Sequence, residues 1–576
     1  NFQTPNPEIN FDNSPFYVNT KLTEWKSNEN PLRAGVSSFG MGGTNVHVVL
    51  EEASEKADAV VTNGICPSDN MRPNLLVVSA KTETALETAT VNLVNYLKEN
   101  PDLDLAEVAY TLQVGRKAFD YRRMVVAETI DEAIEKLTAS SIKQHQIGID
   151  RPITFMFSGQ GSQYVGMAQG LYQTEPVFKE NCDRCFQILE QYLDKPLQNT
   201  IFSSPSSPLQ ETQYAQPAIF TIEYALAQLW MSWGIEPTNA IGHSIGEYVA
   251  ATLAGVFSLE DALRVVARRG QLMQQCPTGA MLSVAVSAER AISIISDSTD
   301  LSLAVINAPE LCVISGTENA IALLEAKLPQ QGIACRRLHT SHAFHSAMMD
   351  GILAEFTTVL AETPLYTPQL PFISNVTGTW ITDAEATDPQ YWAKHLRQTV
   401  NFSSGIKEIL QTSNSILLEI GGGRTLATLA KQVGDTSATV LTSLPHPKEK
   451  PPFDKGGWGD RSFILNTLGN LWLAGADIDW DSYYPDSHPY RIPLPTYPFE
   501  RQRYWIDRLT DSSSKTTVIP EAKVTQPSKK PDIKDWFYIP SWQRCQTLVD
   551  REVDLIEKHN CLVFTRYDLF SQELKV

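Results

Sequence analysis

The tightest local constraint in the chain is the pentapeptide Gly242-His-Ser-Ile-Gly246. It follows a short apolar stretch, Ala240-Ile241, and precedes a helix-forming run, Glu247-Tyr-Val-Ala-Ala-Thr-Leu-Ala254. A G-x-S-x-G between a strand and a helix predicts a nucleophile elbow. Glycines permit the tight turn, the serine projects from it, and the helix N-terminus offers N–H groups to a developing oxyanion. With 31 glycines in 576 residues, the bare pattern is expected on the order of 0.1 times by chance, so its flanks carry the argument. They make Ser244 a candidate nucleophile and the Ile245 N–H a candidate oxyanion donor. The fold that hosts such an elbow is an α/β-hydrolase-like layer.

That layer begins at Ile153-Thr-Phe-Met-Phe157, a short buried strand entering the turn Gly159-Gln-Gly-Ser-Gln163. No lysine closes the turn, so it is not a phosphate loop. Residues 278–341 read strand, helix, strand, strand, helix, strand, the βαββαβ order of a ferredoxin-like subdomain inserted into the larger one. Residues 74–150 read as a small α/β unit, and residues 1–52 are too short to enclose a core, so they read as the end of a preceding domain. Composition marks 53–73 and 512–531 as linkers, Phe202–Pro208 and Pro445–Gly459 as loops, and Asp535–Trp542 as a restart of folded sequence. The N-terminus has neither Met nor a leader, which suggests an internal fragment.

A serine nucleophile needs a base. His339-Thr-Ser-His-Ala-Phe-His345 supplies three histidines, and the residues alone do not choose among them. The segment contains no Asp or Glu, so a backbone carbonyl is a candidate orienter. Lys and Arg total 47 against 66 Asp and Glu, a net charge of −19, which argues against nucleic acid or an anionic membrane as partner. No apolar run approaches the roughly 18–20 residues of a membrane span. Eight scattered cysteines fit reduced thiols in the cytoplasm. Cys182 and Cys185 form a C-x-x-C with no second pair or nearby His cluster, so they read as structural rather than as a zinc or redox site.

With these residues in hand, the chain resembles the acyltransferase domain of a modular type I polyketide synthase over about residues 10–507. The motifs that carry the resemblance are Asn13-Ser-Pro-Phe-Tyr-Val-Asn19, Ala34-Gly-Val-Ser-Ser-Phe-Gly40 continuing to His47, the elbow, His342-Ala-Phe-His345, and Leu494-Pro-Thr-Tyr-Pro-Phe-Glu-Arg-Gln-Arg-Tyr-Trp505. The resemblance implies a ketosynthase C-terminal end without catalytic residues at 1–52 and a ketosynthase–acyltransferase linker domain at 53–150. The acyltransferase itself would span 151–448 and the post-acyltransferase linker 449–508. An interdomain linker and the truncated start of a ketoreductase structural region would fill 509–576.

The resemblance also implies roles. Ser244 is the acyl-accepting nucleophile and His345 the general base and acid. The backbone N–H groups of Gln160 and Ile245 form the oxyanion hole. Arg269, in Ala267-Arg-Arg-Gly-Gln-Leu-Met273, grips the free carboxylate of a dicarboxylic acyl group, and the main-chain carbonyl of His395 orients His345. His342 and Phe344 fit a malonyl rather than a methylmalonyl group, because bulky Phe344 leaves no room for an α-methyl. The implied substrates are malonyl-CoA and the phosphopantetheine thiol of an acyl carrier protein, with no bound cofactor or metal. Implied partners are that carrier, the neighbouring ketosynthase and the downstream domains, in a homodimeric parent synthase. Arg336, Arg337, Lys394 and Arg397 are candidate basic groups near the pocket rim. The rival readings are a serine hydrolase of thioesterase or editing type, which needs no Arg269, and a catalytically degenerate scaffold.

Overall fold

The computed structural model describes residues 3–26, 31–40, 43–52, 72–139, 151–203, 207–412, 414–434, 438–446, 459–484, 489–503 and 505. Residues 53–71 of the linker expected at 53–73, the linker at 512–531, the loop residues 204–206 and 447–458, and the restart at 535–542 lie outside the described residues. The chain divides into a unit at 1–501 and a second at 502–576, and every element below belongs to the first.

Strands β1 (Arg33–Phe39) and β2 (Asn45–Glu51) form an antiparallel hairpin in register from Arg33↔Glu51 to Phe39↔Asn45. Val36, Phe39, Val46 and Val48 are all exposed, so the hairpin encloses no core. The small α/β unit follows: β3 (Asn74–Ala80), helices Glu83–Glu99 and Leu105–Val114, β4 (Tyr121–Ala127), and helix Ile130–Thr138. Each helix starts where a side chain satisfies an orphan N–H: Thr82 accepts from Ala85, Asp104 from Ala106 and Thr129 from Glu132. β3 and β4 pair antiparallel, and the later helix Gly459–Ala474 packs on both. Arg122 ties that helix down, donating to the Trp472 carbonyl at 2.6 Å with its guanidinium over the indole. Residues 489–501 then cross the same unit without regular structure, with Lys81 N–H donating to the Tyr497 hydroxyl and Thr82 to Glu500.

The large subdomain contributes β5 (Ile153–Phe157) and β6 (Asn239–Gly242). The insertion contributes β7 (Ala280–Val284), β8 (Leu301–Ala308), β9 (Leu311–Gly316) and β10 (Cys335–Arg337). The chain then returns with β11 (Phe372–Ile373), β12 (Ile416–Ile420) and β13 (Thr439–Thr442). The large sheet is wholly parallel in the order β11-β6-β5-β12-β13. By order of appearance that is 3-2-1-4-5, so the winding reverses between β5 and β12 and leaves a crevice beyond their carboxyl ends. All residues of both central strands are buried, the continuous pattern of strands covered on two faces. One of them is charged. Glu419 accepts from the N–H groups of Leu426 and Ala427, capping the helix Thr425–Val433, and burial pushes its carboxyl up to about 7.

The inserted strands pair antiparallel in the order β10-β7-β9-β8, with helices Ala288–Ile295 and Glu318–Lys327 between them. This is the ferredoxin-like subdomain, with its own core of Leu282, Val284, Ile314, Ile321 and Leu324.

Between β6 and the helix Gly246–Leu253 the chain turns as the motif predicts, but the glycines serve a different purpose. The left-handed backbone falls on Ser244, at φ 53°, and not on Gly242 or Gly246. The glycines are needed for close approach: a Cβ on Gly242 would lie 2.0 Å from the Glu247 nitrogen, and one on Gly246 2.3 Å from the Phe157 carbonyl oxygen. Neither clash can be relieved by a side-chain rotation. Gly246→Ala is therefore expected to cost more than about 2 kcal/mol. Gly332, at φ 73° with open space around it, should lose only the left-handed penalty of about 1–2 kcal/mol on change to Ala. Urea unfolding of the two variants checks the order, and a smaller loss in Gly246→Ala would sink the close-approach account.

Candidate active site

A cavity of about 350 Å³ opens between the two subdomains, beyond the carboxyl ends of β5 and β6. Gln160, His243, Ser244 and Ile245 line it from the large subdomain, and Met281, Val305, Val313 and Arg336 from the inserted sheet. Phe344 and His345 line it from the segment by which the chain leaves the insertion. A larger cavity of about 610 Å³, between the small α/β unit and residues 494–499, is lined by no histidine or carboxylate.

Ser244 Oγ and His345 Nε2 lie 2.8 Å apart. His345 Nδ1 is 2.9 Å from the Gln398 carbonyl. A carbonyl can only accept, so Nδ1 carries the proton and Nε2 is left to accept from the serine. Both residues have left-handed backbone, His345 at φ 54°, the kind of strain that clusters at reacting centres. Burial, and then the charge of Arg269, hold the His345 imidazole well below its ordinary range, so it is neutral.

One expectation is corrected here. The orienting carbonyl belongs to Gln398 and not to His395. Gln398 caps the helix Pro389–Arg397 with extended backbone, ψ 167°, which turns its carbonyl off the helix axis. His395 is buried instead with Nε2 3.4 Å from Glu247 Oε2. His342 does not line the cavity. It sits behind Phe344, with ring centroids 6.0 Å apart, and its Nδ1 is 2.8 Å from Ser341 Oγ.

Arg269 comes from the helix Leu259–Gln274 and is 1% exposed. Its Nη1 donates to Gln216 Oε1, its Nη2 lies 3.4 Å from Ser244 Oγ, and the Tyr248 ring stands 5.4 Å away. Its Nε has no partner, and among the described residues no carboxylate pairs with it. Arg268, its neighbour, turns outward to Glu355. Of the four candidate rim cations only Arg336 lines the cavity; Arg337 pairs with Glu318 and Glu325, and Arg397 with Asp350.

The oxyanion candidates also lie at the cavity. Among the described residues the backbone N–H groups of Gln160 and Ile245 have no acceptor within the protein. The residue leading into the first loop is fixed, because Ser158 N–H donates to the buried Glu223 at 2.8 Å.

Sequence reasoning missed the residue that holds the elbow. Asn375 Oδ1 accepts from Ser244 N–H at 2.7 Å, while its Nδ2 donates to the Gly242 carbonyl at 2.8 Å. Its own N–H donates to buried Glu247 at 2.7 Å, and Glu247 also accepts from the Tyr391 hydroxyl. Nothing local marks Asn375, which lies 131 residues from the serine. Cys182 and Cys185 are buried in the helix Pro176–Leu189, where burial pushes the Cys185 thiol up to about 12, as core thiols require. Among the described residues there is no cluster of metal-ligating side chains, and no helix is long and apolar enough to cross a membrane.

Residues 154–450, more than half of the chain, match the family described as the acyl transferase domain. The chain belongs to the acyl transferase domain family. Residues 74–137 match a second family, the CurL-like C-terminal region of polyketide synthases. Among solved structures, the acyl transferase domain of ZmaA is 38% identical with a TM-score of 0.69, covering 74% of this chain and 99% of that one. The acyl transferase domain of SpnD, in complex with 2-(pent-4-yn-1-yl)malonyl, is 36% identical with a TM-score of 0.66, covering 73% of this chain and 98% of that one. A phenolphthiocerol/phthiocerol polyketide synthase protein of Mycobacterium tuberculosis is 35% identical over 88% of this chain and 34% of its own length. Protein NorB of the spectinabilin polyketide synthase system of Streptomyces orinoci is 34% identical over 89% of this chain and 24% of its own. This chain therefore spans about a quarter to a third of these synthase proteins.

The direction of the His345 shift makes a prediction for this acyl transferase. A base whose folded-state pKa is depressed stays unprotonated as pH falls and loses activity only below that value. If His345 is the base, the kcat/KM for acyl transfer should hold from about pH 8 down to about pH 6.5, with an acid limb centred below the ordinary imidazole value of about 6.5. An acid limb centred at or above that value would remove His345, in this environment, as the base.

Proposed function

We propose that this acyl transferase loads a malonyl unit from malonyl-CoA onto the phosphopantetheine thiol of an acyl carrier protein, through an ester on Ser244. The observation that carries this reading is a buried guanidinium with no carboxylate partner beside a serine–histidine pair. An isolated buried cation is costly, and a substrate with a free carboxylate would satisfy it. A charge-assisted pair of this kind contributes roughly 1.5–3 kcal/mol. The malonyl-type group named in the SpnD structure supports the same class of substrate.

In the proposed reaction Ser244 Oγ attacks the thioester carbonyl as its proton passes to His345 Nε2. The carbonyl oxygen becomes an oxyanion facing the N–H groups of Gln160 and Ile245. Collapse breaks the C–S bond, and the CoA thiolate takes the proton from His345. The carrier's thiol then gives its proton to His345 and attacks the ester, and Ser244 leaves with that proton, giving ping-pong kinetics. The Gln398 carbonyl keeps the imidazole in the tautomer both halves need. Phe344, backed by His342, occupies the space an α-methyl would take. Arg336 at the cavity is the candidate contact for a phosphate of CoA or phosphopantetheine. The match of residues 74–137 to a synthase region supports a setting beside a ketosynthase, with the carrier as partner.

Two variants test the assignment. Ser244→Ala should abolish the mass increment that malonyl-CoA leaves on the intact protein, and a persisting increment would indicate another nucleophile. Arg269→Ala should lose malonyl loading by about tenfold or more, the equivalent of 1.4 kcal/mol, while acetyl loading holds or rises. Equal loss of both would overturn the carboxylate role. Rapid release of malonate to water, unchanged by a phosphopantetheinylated carrier protein, would favour a hydrolase instead.

A further inference from the structure

Arg269 is held in place by a neutral side chain. Gln216, on the helix Thr212–Ser232, is 1% exposed and accepts from Arg269 Nη1 through Oε1. A guanidinium can only donate, so the amide must present its oxygen there, which turns its NH2 the other way. That NH2 donates to Thr212 Oγ1 at 2.7 Å and approaches Met273 Sδ at 3.3 Å. Thr212 Oγ1 donates onward to Gln160 Oε1 at 2.8 Å. The result is a one-way chain of donors, Arg269 to Gln216 to Thr212 to Gln160, running from the guanidinium to the side chain of the loop residue after β5.

We propose that Gln216 is a specificity-determining positioning residue: it fixes the Arg269 guanidinium in the cavity without neutralising it, so that the only counter-charge available is the carboxylate of a dicarboxylic acyl substrate. An Asp or Glu in its place would orient the guanidinium equally well. It would also supply the negative charge internally, and an incoming carboxylate would then meet a closed pair. Because Gln is the near-isostere of Glu, this position separates orientation from charge. The inference rests on the reading of Arg269 as the carboxylate site.

The test uses the 576-residue chain and reads acyl-enzyme formation by intact-protein mass spectrometry from equal concentrations of malonyl-CoA and acetyl-CoA. Gln216→Glu is expected to lower the malonyl-to-acetyl ratio by about tenfold or more, the scale on which a contacting opposite charge shifts a buried ionisable group. Acetyl loading should stay level or rise, because the guanidinium is no longer unpaired. Gln216→Met removes the tether without adding charge, so malonyl loading slows and the ratio falls by less than in Gln216→Glu, because the guanidinium stays without an internal counter-charge. A ratio that collapses equally in both variants would reduce Gln216 to a packing role and overturn the proposal. If Gln216→Glu loses its cooperative melting transition, the Gln216→Met ratio decides by itself: a ratio lowered but still above that of Arg269→Ala supports the proposal, and an unchanged ratio or one as low as that of Arg269→Ala overturns it. An unchanged ratio in Arg269→Ala overturns the carboxylate reading and this inference with it. A changed ratio there with an unchanged ratio in Gln216→Glu overturns the inference alone.

Discussion

The amide of Asn375 bridges the two sides of the elbow, and the geometry of the site depends on that bridge. Ser244 has a left-handed backbone, which costs a non-glycine residue about 1–2 kcal/mol. Asn375 offsets this by accepting from the serine N–H and donating to the Gly242 carbonyl, two groups that the turn leaves without a helix or strand partner. Its own N–H rests on a buried carboxylate, Glu247, in the helix that begins at Gly246. Strand, turn, helix and the segment after β11 are therefore locked through one side chain. Glu247 accepts from both the Asn375 N–H and the Tyr391 hydroxyl, so it ties the arrangement together at its base.

The electrostatics of the cavity follow from this rigidity. Arg269 and His345 both approach Ser244, and two cations cannot both be favoured in a buried space. The guanidinium keeps its proton at any ordinary pH, so the conflict is settled by depressing the imidazole. A neutral His345 is the form that can accept the serine proton. In the proposed reaction, a carboxylate reaching Arg269 would cancel much of the charge that opposes protonation of His345. The imidazole would then become a stronger base at the moment it is needed, and a substrate without a carboxylate would lack this assistance. Selection would operate on the chemical step as well as on binding.

How much of this was legible in the sequence depends on the range of the interaction. The elbow, the βαββαβ insertion and the small α/β unit were readable because each is a local pattern of glycines or alternating apolar residues. The purpose of the motif glycines was not readable, since Gly246, at the start of its helix, meets the Phe157 carbonyl at the end of β5, nearly 90 residues away in the chain. Motif resemblance placed Ser244, Arg269 and His345, and the fold brings those three together. It failed at His395, where the deciding fact is which carbonyl leaves the axis at a helix end, a property of one ψ angle and not of residue type. Asn375 and Gln216 carry no motif of their own, and only their partners across the fold give them meaning.

The net charge of −19 is the sequence property most at odds with the site. In the proposed reaction the substrate is an anionic thioester, and on approaching this chain it would meet a repulsive average field. Residues 509–576 hold equal numbers of acidic and basic side chains, so the excess lies in the first 508 residues, the portion that contains the site. Screening resolves the conflict. At physiological ionic strength surface charges fade over about 8 Å, so carboxylates elsewhere on the exterior contribute little inside the cavity. Arg269 is buried, is separated from that screening, and acts at contact distance through a medium of low polarisability where a single charge is worth far more. One interior cation therefore outweighs a large exterior surplus of the opposite sign, and total charge speaks to the approach of the substrate but not to its selection.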